Sequence, residues 1–477
     1  MAVMAAGISV DDTDVRLCNL ETRFPFEFGI VTMTGLPHCF VSVDVEVGGT
    51  ATTGLAADHF PPKWFTKDPD RSIESEAEDM LEVVERACAH AQGLEGTSVF
   101  DCWRRVYEAQ REWAAGTGYP PLLWAFGVTF VERAIIDAFC RATDATLGGA
   151  VRDGALGIDP GYVYSELDGH RVGDHLPASP NRSIRIRHTV GHGDPLRDRP
   201  SGGPDDDLPL TLIENVETYG LDRFKIKLGG DVSADVDRFR NVLDVLTSTC
   251  SDFAFTLDAN EQYDSVADLQ TTIERVRDHD GFEGLLFIEQ PFPRDRAFAD
   301  SITEPLAAWT DRPPVIIDES DGELDTFGRA LEVGYDGTSY KNCKGVIKGL
   351  VNASLASVRR DRGESAIVSG EDLTTIGPVS VQQDLAAMAT IGIDHVERNG
   401  HHYFRGLEMF DEPVQSAVLS AHDDLYRSLP DGTATLDIDN GRVNLDSVVE
   451  APFGYACDLD PTRFDAPEDW QFASLAE

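Results

Sequence analysis

The chain has 477 residues, 42% of them hydrophobic, and its 84 acidic and 40 basic residues give a formal net charge of −44 at pH 7. A surface this acidic repels nucleic acids and anionic membranes, so neither is expected as a partner. The excess of carboxylates predicts adaptation to high salt, where such groups keep a surface hydrated. No apolar run approaches the roughly 20 residues of a membrane helix, and the first ten residues lack the basic segment of a secretory signal, so a cytoplasmic globular protein is predicted.

The N-terminal part of the chain, residues 1–155, is predicted to form an α+β module. Residues 40–46 (FVSVDVE) alternate between apolar and polar positions as a strand does, and the Gly48–Gly49 pair supplies a hairpin turn. Residues 73–91 have the apolar period of an amphipathic helix, and residues 120–142 are apolar enough to form a largely buried one.

After a weakly patterned connecting segment at residues 156–182, short apolar strands alternate with helical stretches over residues 183–409. Eight strands that alternate with helices imply an α/β fold with a parallel sheet closed into a TIM-type barrel. Residues 410–477 break this rhythm and are expected to return to the N-terminal module. The eight candidate strands are residues 183–189, 223–228, 254–258, 285–289, 315–318, 337–341, 366–369 and 395–397.

Lysine is rare in this chain and unevenly placed. The chain has only seven lysines among its 40 basic residues, and they fall into three short segments. Arginine stays protonated at any accessible pH, whereas the pKa of a lysine can be lowered far enough to make it a base. The few lysines are therefore candidates for chemistry: Lys63, Lys67, Lys225, Lys227, Lys341, Lys344 and Lys348.

Four polar motifs end four successive candidate strands: FKIK at 224–227, LDAN at 257–260, FIEQP at 287–291 and IIDES at 316–320. They recur at intervals of about 31 residues, which is one strand–helix unit of a barrel of about 250 residues. Each polar residue lies at the carboxyl end of its strand, where barrel enzymes build active sites. A single acid after an apolar run means little in so acidic a chain, but the joint spacing indicates a functional site.

Three of these motifs predict a magnesium site. Asp258, Glu289 and Asp318 would converge at the barrel mouth, where their mutual repulsion requires a cation. An all-oxygen ligand set suits Mg²⁺, and the absence of neighbouring histidine or cysteine argues against zinc. Glu319 is an alternative to Asp318 as the third ligand, because the pattern does not fix the register of that strand.

The lysines of the FKIK motif are two residues apart on a strand, so their side chains point the same way. Two close ammonium groups and a divalent cation would lower a lysine pKa toward the working pH. Lys227, nearer the mouth, is the predicted base, and Lys225 is its charged partner. Lys341, after the sixth strand, would face Lys227 across the barrel as a second catalytic lysine.

Further polar residues near these strand ends are candidates for contact with substrate or for ordering the lysines. Asn260 belongs to the LDAN motif, Glu371 follows the seventh strand and Glu397 ends the eighth. A structural ion pair explains either glutamate equally well.

The motifs FKIK, LDAN, IEQP and DES in this order resemble those of the enolase superfamily. The lysine after strand six resembles the muconate lactonizing enzyme branch, and the histidine-free interval between His279 and His395 excludes the His–Asp dyad of the mandelate racemase branch. The stretches YKNCKGVIKG and ERNGHHYFRG depart from the usual endings of strands six and eight, which leaves the substrate open.

The resemblance implies a modified barrel with a capping domain formed by residues 1–155 and completed by residues 410–477. Residues 24–34 and 57–65 would then correspond to the two loops that close over substrate, and Lys63 would be a substrate contact. A small-molecule carboxylate is the expected partner, and the chain is expected to form a homo-oligomer.

The resemblance also implies a shared first step, the Mg²⁺-dependent removal of a proton α to a carboxylate to give an enediolate. Racemisation or epimerisation, cycloisomerisation and dehydration can all follow from it, with a sugar acid as one candidate substrate. Two alternatives stay open. One is a Schiff-base aldolase that uses Lys227 or Lys341 as nucleophile, and the other is a non-catalytic relative that binds a ligand.

Overall fold

The computed structural model describes residues 7–476. Its N-terminal part is an antiparallel sheet of four strands in the order β3-β2-β1-β4. The valines at alternate positions from 41 to 47 are buried, as expected for a sheet with one face on a core. These strands are β1 (Ile8–Phe28), β2 (Val31–Val47), β3 (Thr50–His59) and β4 (Glu95–Gly96).

Four helices complete this part of the molecule. Serine caps begin two of them: Ser72 accepts a hydrogen bond from the backbone N–H of Ser75, and Ser98 accepts one from that of Asp101. Gly54 lets β3 lie directly on the third helix, since a Cβ at Gly54 would be only 1.9 Å from the carbonyl oxygen of Ala134. The helices are α1 (Ile73–Ala91), α2 (Val99–Ala114), α3 (Pro121–Ala142) and α4 (Leu147–Asp153).

Eight parallel strands form the second part, and the pairing of the last with the first closes them into a barrel. The predicted fold class is confirmed, and each predicted strand agrees with an observed one to within one residue at either end. The barrel strands are β5 (Ser183–Val190), β6 (Arg223–Lys227), β7 (Ala254–Asp258), β8 (Leu285–Glu289), β9 (Val315–Ile317), β10 (Gly337–Tyr340), β11 (Ile367–Gly370) and β12 (His395–Arg398).

Helices follow the barrel strands and cover their outer face. The helices of this part are α5 (Leu212–Tyr219), α6 (Val232–Thr249), α7 (Val266–Val276), α8 (Asp300–Ala308), α9 (Thr326–Glu332), α10 (Val346–Asp361), α11 (Ser380–Ile391) and α12 (Gly400–Tyr403). None of the helices in residues 7–476 combines the length and the apolar character needed to cross a membrane.

The C-terminal segment contacts both parts of the molecule. Its strand β15 (Arg442–Asn444) pairs antiparallel with β5 of the barrel. Further along, Asp465 exchanges two backbone hydrogen bonds with Leu17 of β1, at 2.9 and 3.0 Å. The division of the chain at residues 155, 182 and 409 stays a prediction. The elements of this segment are α13 (Glu412–Ala421), β13 (Tyr426–Ser428), β14 (Ala434–Leu436), β15 (Arg442–Asn444) and α14 (Asp446–Glu450).

Candidate active site

The register of the barrel brings the predicted site residues to one level. Lys227 pairs with Asp258 and Asp258 pairs with Glu289 on consecutive strands. Paired residues of parallel strands point to the same face, so all three side chains enter the barrel interior. Asp318 lies just beyond the end of β9 and accepts a hydrogen bond from the Ser339 hydroxyl on the next strand.

Lys225 lies at the centre of the cluster. Its Nζ atom is within 2.9 Å of a carboxylate oxygen of each of four acids, Asp258, Glu289, Glu371 and Glu397. Burial alone would lower the pKa of this ammonium, but the four carboxylates raise the pKa well above its ordinary value. Lys225 is thus held as a cation, and its pKa moves opposite to the lowering expected for a lysine pair.

Lys227 lies above Lys225, at the mouth of the barrel. Its Nζ atom donates to Oδ2 of Asp258 at 2.6 Å and to Oδ1 of Asn260 at 2.9 Å. Burial would raise the pKa of Asp258, but Lys225 and Lys227 bring it below the ordinary value. The structure therefore brings Lys225, Lys227, Asp258 and Asn260 together.

Lys341 lies on the opposite side of the barrel mouth, because β10 is four strands from β6 in the closed ring of eight. Its Nζ atom contacts Oδ2 of Asp318 at 2.7 Å and lies 4.7 Å from the centre of the Trp64 ring, in cation–π geometry. Burial lowers the pKa of Lys341, and the charge of Asp318 outweighs burial and raises it.

The three predicted metal ligands can be tested against Mg²⁺ by their chemistry. Oε1 of Glu289 is buried without a partner among the described residues, and Oε2 has the Lys225 ammonium at 2.8 Å; burial together with the charge of Asp258 raises the pKa of Glu289 well above its ordinary value. A cation would relieve both conditions, so the donor set fits Mg²⁺. Within residues 7–476, however, no three His, Cys, Asp or Glu side chains are arranged as a metal cage. Lysine nitrogens contact the oxygens of Asp258, Glu289 and Asp318 instead.

Glu319, the alternative third ligand, also lies inside the site. Its Oε1 atom accepts a hydrogen bond from Nδ2 of Asn260 at 3.0 Å, and its Oε2 atom has no partner among the described residues. Burial and the neighbouring charge of Asp318 raise the pKa of Glu319 to about 7. Asp318 and Glu319 thus both reach the barrel mouth.

Glu371 and Glu397 share Lys225 and differ in their second partner. Glu371 forms an ion pair with Arg187, a fully buried arginine on β5, while Glu397 accepts a hydrogen bond from the Thr189 hydroxyl at 2.6 Å. Arg187 was not predicted as a site residue. Its alternation with apolar neighbours in the segment SIRIRHTV was the available signal, because it places this side chain on the inner face.

Two further lysines that follow β10 were also not assigned to the site. The Nζ atom of Lys344 lies 2.8 Å from Oδ1 of Asp318, and that of Lys348 lies 2.9 Å from Oδ1 of Asp321. Both lysines are buried. Their rarity in the sequence had made them candidates for chemistry, but it did not predict the direction of their side chains.

Two segments of the N-terminal part cover the barrel mouth. The first is the hairpin between β1 and β2, which contributes Phe26, Phe28 and Met33 to a cavity, and the second is the loop after β3, which contributes Pro61 and Trp64. From the barrel, the cavity is lined by Lys225, Lys227, Asn260, Lys341, Asp372, Leu373, Thr374, Glu397 and Asn399.

The loop after β3 carries Lys63, the predicted substrate contact, and Lys67. Lys63 does not line the cavity, since its Nζ atom contacts the Asp68 carbonyl at 2.7 Å and Glu76 at 3.3 Å within its own segment. Lys67, which was not predicted as a site residue, donates to the carbonyl oxygen of Asn260 and contacts Glu261 at 3.3 Å.

Arg294 joins the same loop to the barrel. Its guanidinium donates to the carbonyl oxygens of Trp64 and Phe65 at 2.8 and 2.7 Å and to Oε2 of Glu261 at 2.8 Å. These contacts hold Trp64 over the cavity.

The chain has the architecture of an α/β barrel with a capping domain. An antiparallel sheet domain covers the barrel, and lysines and carboxylates lie at the carboxyl ends of its strands. Residues 211–350 match the family model described as "Enolase C-terminal domain-like". No curated protein matches the chain.

Three solved structures share the whole fold. A mandelate racemase/muconate lactonizing protein from Herpetosiphon aurantiacus is 16% identical, with 94% of this chain and 99% of that chain covered at a TM-score of 0.58. A dipeptide epimerase from Enterococcus faecalis, complexed with Mg and a dipeptide, is 14% identical, with 94% of this chain and 99% of that chain covered at a TM-score of 0.60. A muconate lactonizing enzyme from Pseudomonas fluorescens, complexed with muconolactone, is 14% identical, with 96% of this chain and 98% of that chain covered at a TM-score of 0.59.

The resemblance to the enolase superfamily is thereby confirmed at the level of the fold: the chain has the fold of a mandelate racemase/muconate lactonizing protein, and its residues 211–350 match the enolase C-terminal domain-like model.

Proposed function

We propose that the chain is a Mg²⁺-dependent isomerase or lyase that removes the proton α to the carboxylate of a small organic acid. The observation that carries this proposal is the pair of lysines that line one cavity from opposite sides of the barrel, Lys227 on β6 and Lys341 after β10. A carbon atom between them is open to proton transfer on either face. The match of residues 211–350 to the enolase C-terminal domain-like model, and the fold shared with a dipeptide epimerase and a muconate lactonizing enzyme, support it.

In this proposal Asp258, Glu289 and Asp318 would hold the metal, with Glu319 as the alternative to Asp318. The ion would supply positive charge beside a substrate carboxylate oxygen and so stabilise the enediolate charge. Lys225 would remain an ammonium and add to that field, because four carboxylates hold its proton.

The proton transfers themselves belong to the two facing lysines. Once Lys227 has released its own proton to solvent, it takes the α proton, and the electron pair of the broken C–H bond moves into the carboxylate group. A protonated Lys341 returns a proton to the same carbon from the opposite face, which inverts the centre. If a leaving group is present at the β carbon, the electron pair of the enediolate instead forms a carbon–carbon double bond and the leaving group departs, which gives the lyase outcome.

The test is exchange of the α proton with solvent deuterium, measured by NMR over a set of carboxylic acids at high salt with Mg²⁺. We expect Lys227→Ala to slow the exchange of acids of one configuration and Lys341→Ala to slow the exchange of acids of the other. Each exchange rate should fall by about 10²–10⁴-fold. Each variant controls for the folding of the other. The proposal would be contradicted if neither variant lost exchange at either configuration. It would also be contradicted if the parent protein exchanged the α proton of none of the acids.

The same preparation separates the proposal from the Schiff-base alternative. EDTA is expected to stop exchange and Mg²⁺ to restore it, whereas an aldolase would form a borohydride-trapped adduct with a carbonyl substrate at Lys227 or Lys341 without the metal. Location in the cytoplasm and assembly as a homo-oligomer stay predictions.

A further inference from the structure

We infer that the substrate is a monocarboxylate whose α carbon carries an apolar group, and that this group lies against five side chains, here called the apolar wall: Phe26, Phe28, Met33, Trp64 and Leu373. This inference rests on the proposed function, because it assumes that the acid group faces the lysines at the bottom of the cavity.

The apolar wall is fixed in place by its own packing. The Phe26 ring lies 4.8 Å from the Phe28 ring and stacks on Tyr403 at 4.0 Å. Trp64 meets Phe65 edge-to-face at 4.8 Å, and Arg294 holds the backbone of both. A wall built in this way offers a preformed apolar surface to a substrate.

The charged groups that line the cavity are already paired with other protein groups. Lys225 and Lys227 contact Asp258, and Lys341 contacts Asp318. The other two charged groups of the lining are the acids Asp372 and Glu397. Arg398 contacts Asp372 at 2.8 Å, and Lys225 contacts Glu397 at 2.9 Å.

The distribution of charge limits the far end of the substrate. Among the described residues, no arginine lines the cavity, and its cations are the three lysines at the barrel end. A second carboxylate on the substrate would therefore lose its water against the apolar wall without gaining a partner, at a cost of several kcal/mol. The geometry disfavours dicarboxylic acids for this reason.

Polar groups on the lining are also few. Both ends of the Asn260 amide are engaged, by Lys227 and Glu319, which leaves Thr374 and Asn399 as the uncharged polar side chains open to a substrate. Oδ1 of Asn399 is buried without a partner among the described residues and can accept a hydrogen bond. One or two hydroxyl or amide groups can be satisfied there, but the hydroxyl series of a sugar acid cannot.

The experiment compares three acids that share a six-carbon chain and an α hydroxyl: 2-hydroxyhexanoate, 2-hydroxyadipate and gluconate. Their affinities for the full chain are measured by calorimetry with Mg²⁺, and α-proton exchange is followed in the same samples. We expect 2-hydroxyhexanoate to bind at least about tenfold tighter than either of the others. Equal or tighter binding of the adipate or the gluconate, or no binding of any of the three, would overturn the inference.

A charge introduced on the apolar wall tests the same idea from the protein side. Phe28→Arg is expected to shift the preference toward 2-hydroxyadipate by roughly tenfold, because it supplies the missing cation. Ile30→Arg is the matched control: it lies on the same hairpin, is 46% exposed and does not line the cavity, so it adds the same charge and should leave the preference unchanged.

The two readouts keep the two proposals apart. Selective binding of 2-hydroxyhexanoate without exchange of its α proton would support the apolar wall and contradict the proposed proton abstraction. Exchange of the α proton of gluconate would support proton abstraction and contradict the apolar wall.

Discussion

The Nζ atom of Lys344 lies 2.8 Å from Oδ1 of Asp318, and the other oxygen of the same carboxylate lies 2.7 Å from Nζ of Lys341. One buried aspartate thus carries two ammonium groups, one that lines the cavity and one beneath it. Lys344 also donates to the Ser339 hydroxyl at 2.6 Å and to the Asp318 carbonyl at 2.7 Å. The orientation of the Asp318 carboxylate therefore depends on Lys344.

Replacement of Lys344 by methionine should cost much of the protein's stability. Asp318, which is fully buried, would lose one of the two ammonium groups that contact its carboxylate, and removal of one partner from a buried ion pair costs about 3–5 kcal/mol. Urea unfolding at constant salt measures the loss. The control is Arg277→Met, which removes an exposed pair with Glu274 and should cost under about 1 kcal/mol. Equal losses for the two variants would contradict the role of Lys344.

Replacement of Lys225 by methionine should reduce the stability that the protein loses as the pH falls. With Lys225 present, the pKa values of Asp258, Glu371 and Glu397 are lowered on folding, although burial alone would raise them. Their contribution to stability is therefore present above the unfolded pKa of about 4 and lost as the pH falls through the folded values.

Without the ammonium of Lys225 the folded pKa values of the same carboxyls should rise, so the variant should lose less stability than the parent protein as the pH falls. The difference from the parent protein is then largest near pH 7 and shrinks toward pH 4. Urea unfolding from pH 4 to 8 measures it, with Lys225→Arg as the control that keeps the charge. A difference that does not change with pH would refute this account.

The barrel, and the positions of the candidate site residues at the ends of its strands, could be predicted from the sequence because both follow from a repeating pattern. Strand alternation set the register of β6, β7 and β8, and register alone brings Lys227, Asp258 and Glu289 to one level. The distance of four strands between β6 and β10 likewise placed Lys341 opposite Lys227.

Strand alternation could not predict the contacts between segments that are remote in sequence. Arg187 reaches Glu371 across 184 residues, and Lys67 reaches Asn260 across 193. Lys344 and Lys348 lie outside any strand, so alternation gave them no direction, and the turn between β10 and α10 decides that they point inward. Such contacts depend on how loops fold back, which local periodicity does not record.

Arg294 should control the mobility of the loop that carries Trp64. Arg294→Ala removes the donors to the Trp64 and Phe65 carbonyls, so hydrogen exchange of the amides of residues 60–67 should accelerate by roughly tenfold or more. Arg296→Ala is the matched control, because that arginine is exposed and pairs with Asp264 instead. Exchange by mass spectrometry locates the effect, and equal rates in the two variants would show that the loop is held by other contacts.

Glu132 should make the stability of the protein fall as the pH rises through neutrality. It lies on α3, is fully buried, and its Oε1 atom accepts a hydrogen bond from the backbone N–H of Ile347 at 2.5 Å in the first turn of α10. Its Oε2 atom has no partner among the described residues. Burial raises the pKa of Glu132 to about 7, although the Ile347 N–H and the charge of Arg133 oppose the rise.

A carboxyl whose pKa is raised on folding contributes stability that is present below the unfolded pKa and lost as the pH rises through the folded pKa. For Glu132 that window runs from about 4.5 to about 7, and the loss is on the order of 3 kcal/mol. Glu132→Gln keeps an acceptor for Ile347 and does not titrate, so its stability should exceed that of the parent protein at pH 8 and match it at pH 5. The exposed Glu274→Gln serves as the control in urea unfolding, and parallel pH profiles for the parent protein and Glu132→Gln would mean that Glu132 is ionised throughout this range.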